Sequence, residues 1–577
     1  MKEEISGFFV KFHETINSSI DDVTRNNFAN LETNSKRVAY LNSLPAIKSF
    51  DLAAEVEKCN SGGEFPVNKR LEKAKLLKDE GNKEVQKGDW VRALHLYTLS
   101  IVHMPKKETE ELSIVLANRS AALNHLEQYE ECLADIRRCL ASGYPRHLRY
   151  KVFERRARCL LVLKRNQEAI RAFQDTITAL DEATSLNKEK RQKLRTDAKL
   201  MLEVLNRGLV LAGNPKDPEP LIKTLSKPKL PGKHNPSYPA ASDAIQIECP
   251  IPLACPTCPN VVFCSDKCQE TALKSYHAYE CPILPLIWKS GCSITCHIAL
   301  RMITQRSKNY FKELSKDLDK KPSGQYNSND YKNIYNLISH EERRSKQDFL
   351  HRSQMVVFLV KLLELSGYFD CKPRDKPIDI EEIKTMGVAE ERRDDVELFG
   401  GLLLKNIQVL QFNAHEVFEL QCQKRRLDET VIKHNGESVF LAGAVFPTLA
   451  LFNHSCDPGV VRYFAGPYVV VRAVKIIKKG EEVAENYGPI FTTTPKEKRQ
   501  TTLKDQYWFD CACVPCQQNW PLYGQMNENY MRFKCDSGQP CSNVIPVPHD
   551  CTEFMIKCGL CQQFTNILKG LKSLQVP

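Results

Sequence analysis

Val439–Gln517 reads VFLAGAVFPTLALFNHSCDPGVVRYFAGPYVVVRAVKIIKKGEEVAENYGPIFTTTPKEKRQTTLKDQYWFDCACVPCQ. An apolar run ends in Asn453-His454-Ser455-Cys456, and two β-branched runs with Gly466-Pro467 between them predict a strand pair joined by a turn. Glu485-Asn486-Tyr487-Gly488 and a Cys511-x-Cys513-x2-Cys516 cluster follow. Taken singly, His454 reads as a hydrogen-bonded turn histidine and Tyr487 as a half-buried strand aromatic. Taken in order, the string describes a site rather than a core strand.

A chain of 577 residues should hold at least three domains, because single cores seldom grow beyond about 250 to 300 residues. The formal net charge of +11 comes from interspersed acidic and basic residues, which argues for a soluble protein and implies no sequence-specific nucleic-acid binding. No apolar run approaches the roughly 20 residues of a membrane span, and the N-terminus has no cleavable hydrophobic core, so no membrane partner is expected and the protein is read as intracellular. Twenty-three cysteines in a reducing compartment, most of them clustered after residue 248, read as metal ligands rather than disulfides.

Residues 1–66 carry weak helical patterning and end in breakers. From 70 to 210 helical segments pair up: Trp90-Val-Arg-Ala93 is echoed by Tyr129-Glu-Glu-Cys132 and Gln167-Glu-Ala169, the small residues recurring 39 and 37 residues apart. This is slightly longer than the roughly 34-residue tetratricopeptide (TPR) period. Lys78, Asn82, Asn118, Lys151 and Arg155, on the first helices of these repeats, resemble the two-carboxylate clamp of chaperone-binding TPR domains, which implies the C-terminal tail of Hsp90 or Hsp70 as a partner. Cations and amides on one helical face can hold a terminal carboxylate, although Lys and Arg are also common on solvated faces. Pro-rich steps from 213 to 239 read as a linker.

Cys255-x2-Cys258-x5-Cys264-x3-Cys268-x8-His277-x3-Cys281, preceded by Cys249, has zinc-ligand spacing and resembles a MYND finger. The resemblance assigns Cys255, Cys258, His277 and Cys281 to one site, and Cys264 and Cys268 to a second that lacks its first Cys-x2-Cys pair. Residues 282–430 are helical in pattern and include Asn413, whose own pattern also suits a cap or turn. After the main cluster, Cys535-x5-Cys541 and Cys558-x2-Cys561 read either as ligands of a further small zinc ribbon or as buried thiols.

In sum of order and spacing, the chain resembles the TPR-bearing branch of the SET-and-MYND family. The resemblance implies a multidomain α+β protein: TPR repeats, a MYND finger inserted in a β-rich SET domain with a helical insert, and a post-SET zinc cluster. The expected divisions are 1–66 (N-terminal helical region), 70–210 (TPR), 211–248 (linker and residual SET piece), 249–281 (finger), 282–430 (insert), 431–490 (SET core), 495–520 (post-SET) and 530–577 (zinc ribbon). It implies S-adenosylmethionine and zinc as cofactors and a protein lysine as substrate. Tyr487 is the expected catalytic hydroxyl, with Asn413, Asn453, His454, Tyr507 and Phe509 at the cofactor and lysine channel, and Cys456, Cys511, Cys513 and Cys516 on zinc. Corepressors such as histone deacetylases are expected at the finger, and a cytoplasmic and nuclear location is expected. The family's glycine turn for the cofactor is not found ahead of Cys249, so impaired cofactor binding is expected, with a non-catalytic TPR and MYND adaptor as the rival reading.

Overall fold

The computed structural model describes residues 8–48, 50–54, 57, 68–184, 186–212, 253–318, 320, 326–374, 392–422, 436–465, 468–525, 530–535, 541 and 543–568. The linker at 213–239, Cys249 with the segment ahead of it, and the Gly466-Pro467 turn lie outside these residues. Among the described residues no helix is long and apolar enough to cross a membrane. The chain divides into two compact units.

The first unit comprises Met1–Ser293, Leu300–Glu313 and Ser353–Gly400. Three antiparallel helix pairs dominate it: Leu71–Lys87 with Trp90–His103, Thr109–His125 with Tyr129–Ala141, and Arg149–Val162 with Asn166–Asp181, followed by Lys188–Ala212. Further along, β1 (Leu253–Ala254) pairs antiparallel with β2 (Val262–Phe263). The sequence sets each turn. Gly88, at φ 80°, ends the first helix, and the Asp89 carboxylate caps the next by accepting from the Arg92 N–H at 2.9 Å. Small residues let the helices approach: a Cβ on Gly81 would stand 2.7 Å from the Tyr97 ring. The core joins Ala74, Ala93, Ala117, Cys132, Val152 and Cys159, all buried. Within it the Arg119 guanidinium grips Asp135 through two bonds of 2.7 and 2.8 Å, the pair being almost wholly buried.

The N-terminal helix Phe8–Ser19, whose role the sequence leaves unread, packs Phe8, Phe9 and Phe12 around Phe358 at ring distances of 5.6, 5.9 and 6.0 Å. Asn17 accepts from the Gln354 amide at 2.9 Å. These N-terminal residues therefore pack on the helix Lys346–Leu365 rather than extend the repeats.

The second unit comprises Ile294–Ala299, Leu314–Arg352 and Gly401–Pro577. The helical pattern expected through 430 ends at Asn413, where Ala414–Cys422 becomes strand β3, paired antiparallel with β4 (Gly436–Val445). Burial alternates where the strand starts, with His415 buried, Glu416 exposed, Val417 half-buried and Phe418 exposed. β5 (Asn453–His454) lies parallel to β8 (Ala484–Glu485), and between them β6 (Val460–Ala465) and β7 (Tyr468–Ala473) form an antiparallel pair. The loop out of β5 thus returns beside its own start and brings Tyr487 against His454.

Candidate functional site

The parallel β5–β8 pair is held by backbone bonds from the Ser455 N–H to the Glu485 carbonyl (2.8 Å) and from the Gly459 N–H to the Ala484 carbonyl (2.9 Å). Asn486 then fastens the turn: its amide donates to the Ser455 and Pro489 carbonyls at 3.0 and 2.8 Å, while its Oδ1 accepts from the Gly488 N–H at 2.9 Å. Gly488 sits at φ 147°, a conformation that side-chain-bearing residues rarely adopt.

Tyr487 is half-buried. Its N–H donates to His454 Nδ1 at 3.0 Å and its hydroxyl to the Phe452 carbonyl at 2.6 Å. Because Nδ1 accepts, the His454 proton stands on Nε2, 3.3 Å from Cys456 Sγ. Burial holds the His454 pKa down at about 4, so the ring is neutral, and burial pushes the Tyr487 hydroxyl up to about 12. The Tyr507 and Phe509 rings lie 4.9 and 6.4 Å from that of Tyr487, and the Tyr507 hydroxyl donates to the Tyr487 carbonyl at 3.3 Å. Asn453 is exposed, its amide 2.5 Å from Glu482 Oε1. Asn413 stands at the end of the Arg393–Asn413 helix with both amide hydrogens engaged, donating to the Ile338 and Val409 carbonyls at 2.8 and 2.7 Å.

Cys456, Cys511, Cys513 and Cys516 bring four sulfurs within 4.8 Å of one another. This cluster and the aromatic one share a single interior: Cys456, Phe491, Leu503, Cys511 and Cys516 pack against Tyr487, Tyr507 and Phe509. Arg499, fully buried, directs its guanidinium to Cys516 Sγ at 3.5 Å and to the Thr494 carbonyl at 2.7 Å. Were the four cysteines to hold a divalent ion as thiolates, its positive charge would offset part of their net negative charge. Gln500 locks the cluster to the Lys496–Tyr507 helix by exchanging bonds of 2.7 and 2.9 Å with the Cys511 backbone.

Several residues of this site are not legible from spacing. Arg462 pairs with buried Glu485 at 2.5 Å, and His415 Nε2 lies 3.9 Å from the same carboxylate. Burial raises the Glu485 pKa and holds His415 down at about 4. Trp508, with φ 61°, separates Tyr507 from Phe509; the Arg344 guanidinium stacks 5.2 Å from its ring and 5.4 Å from Phe412. Arg343 donates to the Trp508 carbonyl at 2.5 Å. A cationic residue far away in sequence thereby fixes the loop that carries Tyr507 and Phe509.

In the first unit, Cys255, Cys258, His277 and Cys281 also gather within 4.8 Å, all buried. The Thr257 and Cys258 N–H groups donate to Cys255 Sγ at 3.3 and 3.4 Å. Glu280, between the last two ligands, is buried and bound by Arg301 and by the Thr304 hydroxyl, which donates at 3.0 Å. Cys264 and Cys268 are exposed, their sulfurs 3.3 Å apart.

Of the repeat residues, Asn118 donates to Asn82 at 3.1 Å, and Arg155 reaches the Ala117 carbonyl at 3.0 Å and Ser120 at 2.7 Å. Lys78 is paired with Glu111 at 3.2 Å, an anion 33 residues away in sequence. Lys151 is exposed, and no partner faces it among the described residues.

The SET domain family matches residues 240–488, a span that runs through the finger. The chain is 27% identical over 558 residues to "Protein-lysine N-methyltransferase SMYD4" of Pongo abelii, covering 78% of this chain and 68% of that protein. It is 28% identical, with the same coverage, to the Homo sapiens protein of that name. Among solved structures, "First TPR of Spaghetti (RPAP3) bound to HSP90 peptide SRMEEVD" is similar at 22% identity, covering 24% of this chain and 97% of that one, with a TM-score of 0.19. The chain is thus similar to the SET-and-MYND family, and most extensively to its TPR-bearing member.

Proposed function

We propose that this chain is an S-adenosylmethionine-dependent protein-lysine N-methyltransferase. The observation that carries the reading is the shared interior of the Tyr487, Tyr507 and Phe509 rings with the four-cysteine cluster, stitched together by His454. Aromatic faces and the Phe452 carbonyl suit a sulfonium methyl group, since cations sit well over rings and polarised C–H groups against carbonyl oxygens. The bound cofactor would supply an electrophilic methyl group. Tyr507 and Phe509 would exclude water, lowering the pKa of an entering lysine from its reference of about 10.4 and favouring the neutral amine. Tyr487, its own proton held firmly, serves to orient groups rather than to remove a proton. Alignment is then the main contribution to rate.

Calorimetric titration of S-adenosylmethionine into the zinc-loaded chain, with methyl transfer to protein lysines as readout, tests this. Tyr487→Phe should lower turnover more than it weakens cofactor binding. If the wild-type chain binds weakly and a Gly-Arg-Gly turn with a Cys-x2-Cys pair inserted ahead of Cys249 restores binding, the expected gap is real. A chain inert in both forms favours the adaptor.

The adaptor reading would use the repeats, where Asn118 bonds to Asn82 and Lys151 is exposed. Lys151→Ala should then weaken an acidic chaperone-tail peptide by about 1 to 3 kcal/mol. Equal affinity for the acid and the C-terminal amide of that peptide would rule out a carboxylate clamp.

A further inference from the structure

Two short hairpins follow the post-SET cluster: β9 (Tyr530–Lys534) with β10 (Val544–Pro548), and β11 (Met555–Lys557) with β12 (Phe564–Asn566), each antiparallel. Cys535 and Cys541 flank the first connection, Cys558 and Cys561 the second. The four sulfurs lie within 4.8 Å of one another. Across the hairpins, Cys535 Sγ stands 3.5 Å from Cys561 Sγ, and Cys541 Sγ 3.7 Å from Cys558 Sγ. A disulfide would bring two sulfurs to about 2.05 Å. Tetrahedral zinc with Zn–S bonds of about 2.3 Å sets its sulfurs about 3.8 Å apart, close to what is found.

Two further observations point the same way. The Asn543 amide donates to Cys558 Sγ at 3.4 Å, as the Thr257 and Cys258 N–H groups do to Cys255 Sγ. Hydrogen-bond donors around a metal ligand hold it in place. The interior is also slight: Phe533, Ile545 and Val547 with the cysteines, while Phe554, Leu560, Phe564 and Leu568 are exposed. So small a module needs a cross-link to fold.

We propose that Cys535, Cys541, Cys558 and Cys561 bind a structural zinc ion, separate from those of the finger and the post-SET cluster. With four thiolates the site is closed and leaves no position for a substrate.

Cys551 supplies an internal control, since it is about as exposed as Cys541 and Cys561 but outside the cluster. In the zinc-loaded full chain, N-ethylmaleimide should label Cys551 at least about tenfold faster than Cys541 and Cys561, and a chelator should erase the difference. Equal rates before chelation would overturn the proposal. Cys558→Ser with Cys561→Ser should remove one equivalent of zinc while Cys511 and Cys513 stay protected. Unchanged zinc content would also overturn it, as would iron in place of zinc in the purified chain.

Discussion

The helix repeats and the cysteine-bearing C-terminal region solve the same problem by opposite means. In the repeats, small and apolar residues mesh across successive helices and one buried ion pair, Arg119–Asp135, fixes their register. In the C-terminal region sulfur atoms occupy the interior, while Tyr468 and Ile476 are 71% and 67% exposed. The repeats can thus draw their stability from hydrophobic burial, whereas the other region has clustered sulfurs placed where a metal ion could join them. The sharpest way to break this comparison is to remove zinc. Structural zinc contributes on the order of 10 kcal/mol or more in small domains. A strong chelator should therefore abolish amide-exchange protection across 496–516, 530–535 and 543–568 while the paired helices between 71 and 181 stay protected. Loss of both regions in step would show that the repeats also depend on metal.

The converse perturbation lies at Arg119. Replacing it by alanine leaves Asp135 charged and buried without its main partner, at a cost of about 3 to 5 kcal/mol. Exchange in Thr109–His125 and Tyr129–Ala141 should rise, with zinc content unchanged. Arg119→Met combined with Asp135→Leu should recover most of the loss, since the desolvated charges go together. If the double variant is no better than the single one, the pair specifies structure in a way that burial does not replace.

Local chemistry explains what could be read beforehand. Metal ligands repeat at short fixed spacings, and helices repeat their small residues, so Cys255, Cys258, His277 and Cys281 and the helix pairs are visible without coordinates. NHSC and the Tyr487 turn are likewise contiguous strings. Arg344, Arg462 and His415 act at long sequence separation, on Trp508 and Glu485, and carry no spacing signal. The commitment of Lys78 to Glu111 and of Asn413 to two carbonyls was hidden for the same reason: a side chain's partner is a property of the fold, not of its neighbours.

A smaller effect is expected where both kinds of support meet. Asn486 makes three bonds within the Tyr487 turn, close to the metal cluster but independent of any ligand atom. Asn486→Ala should cost about 1 to 3 kcal/mol and raise exchange at 485–488. Zinc should be retained. Zinc loss would mean that the turn holds the ligands, rather than the ligands the turn.

The smallest expected effect is a pH dependence from His415, which metal does not touch. Its ring is buried against Phe446, 5.9 Å between centroids, with Arg462 and Glu485 as the charged groups facing it. Burial and the Arg462 charge depress its pKa to about 4, below the roughly 6.5 of the unfolded chain. The unfolded state therefore takes up a proton first as pH falls, so stability should fall between pH 7 and pH 6 by on the order of 1 kcal/mol and continue falling toward pH 4. Glu485, with its pKa raised, works in the other direction, since the folded state binds its proton first; it acts nearer the carboxylate range and offsets part of the loss there. Comparing the wild type with His415→Asn separates the two. The variant should lose the slope between pH 7 and pH 6 in zinc-loaded protein, and an unchanged slope would assign the pH dependence of this region to its cysteines instead.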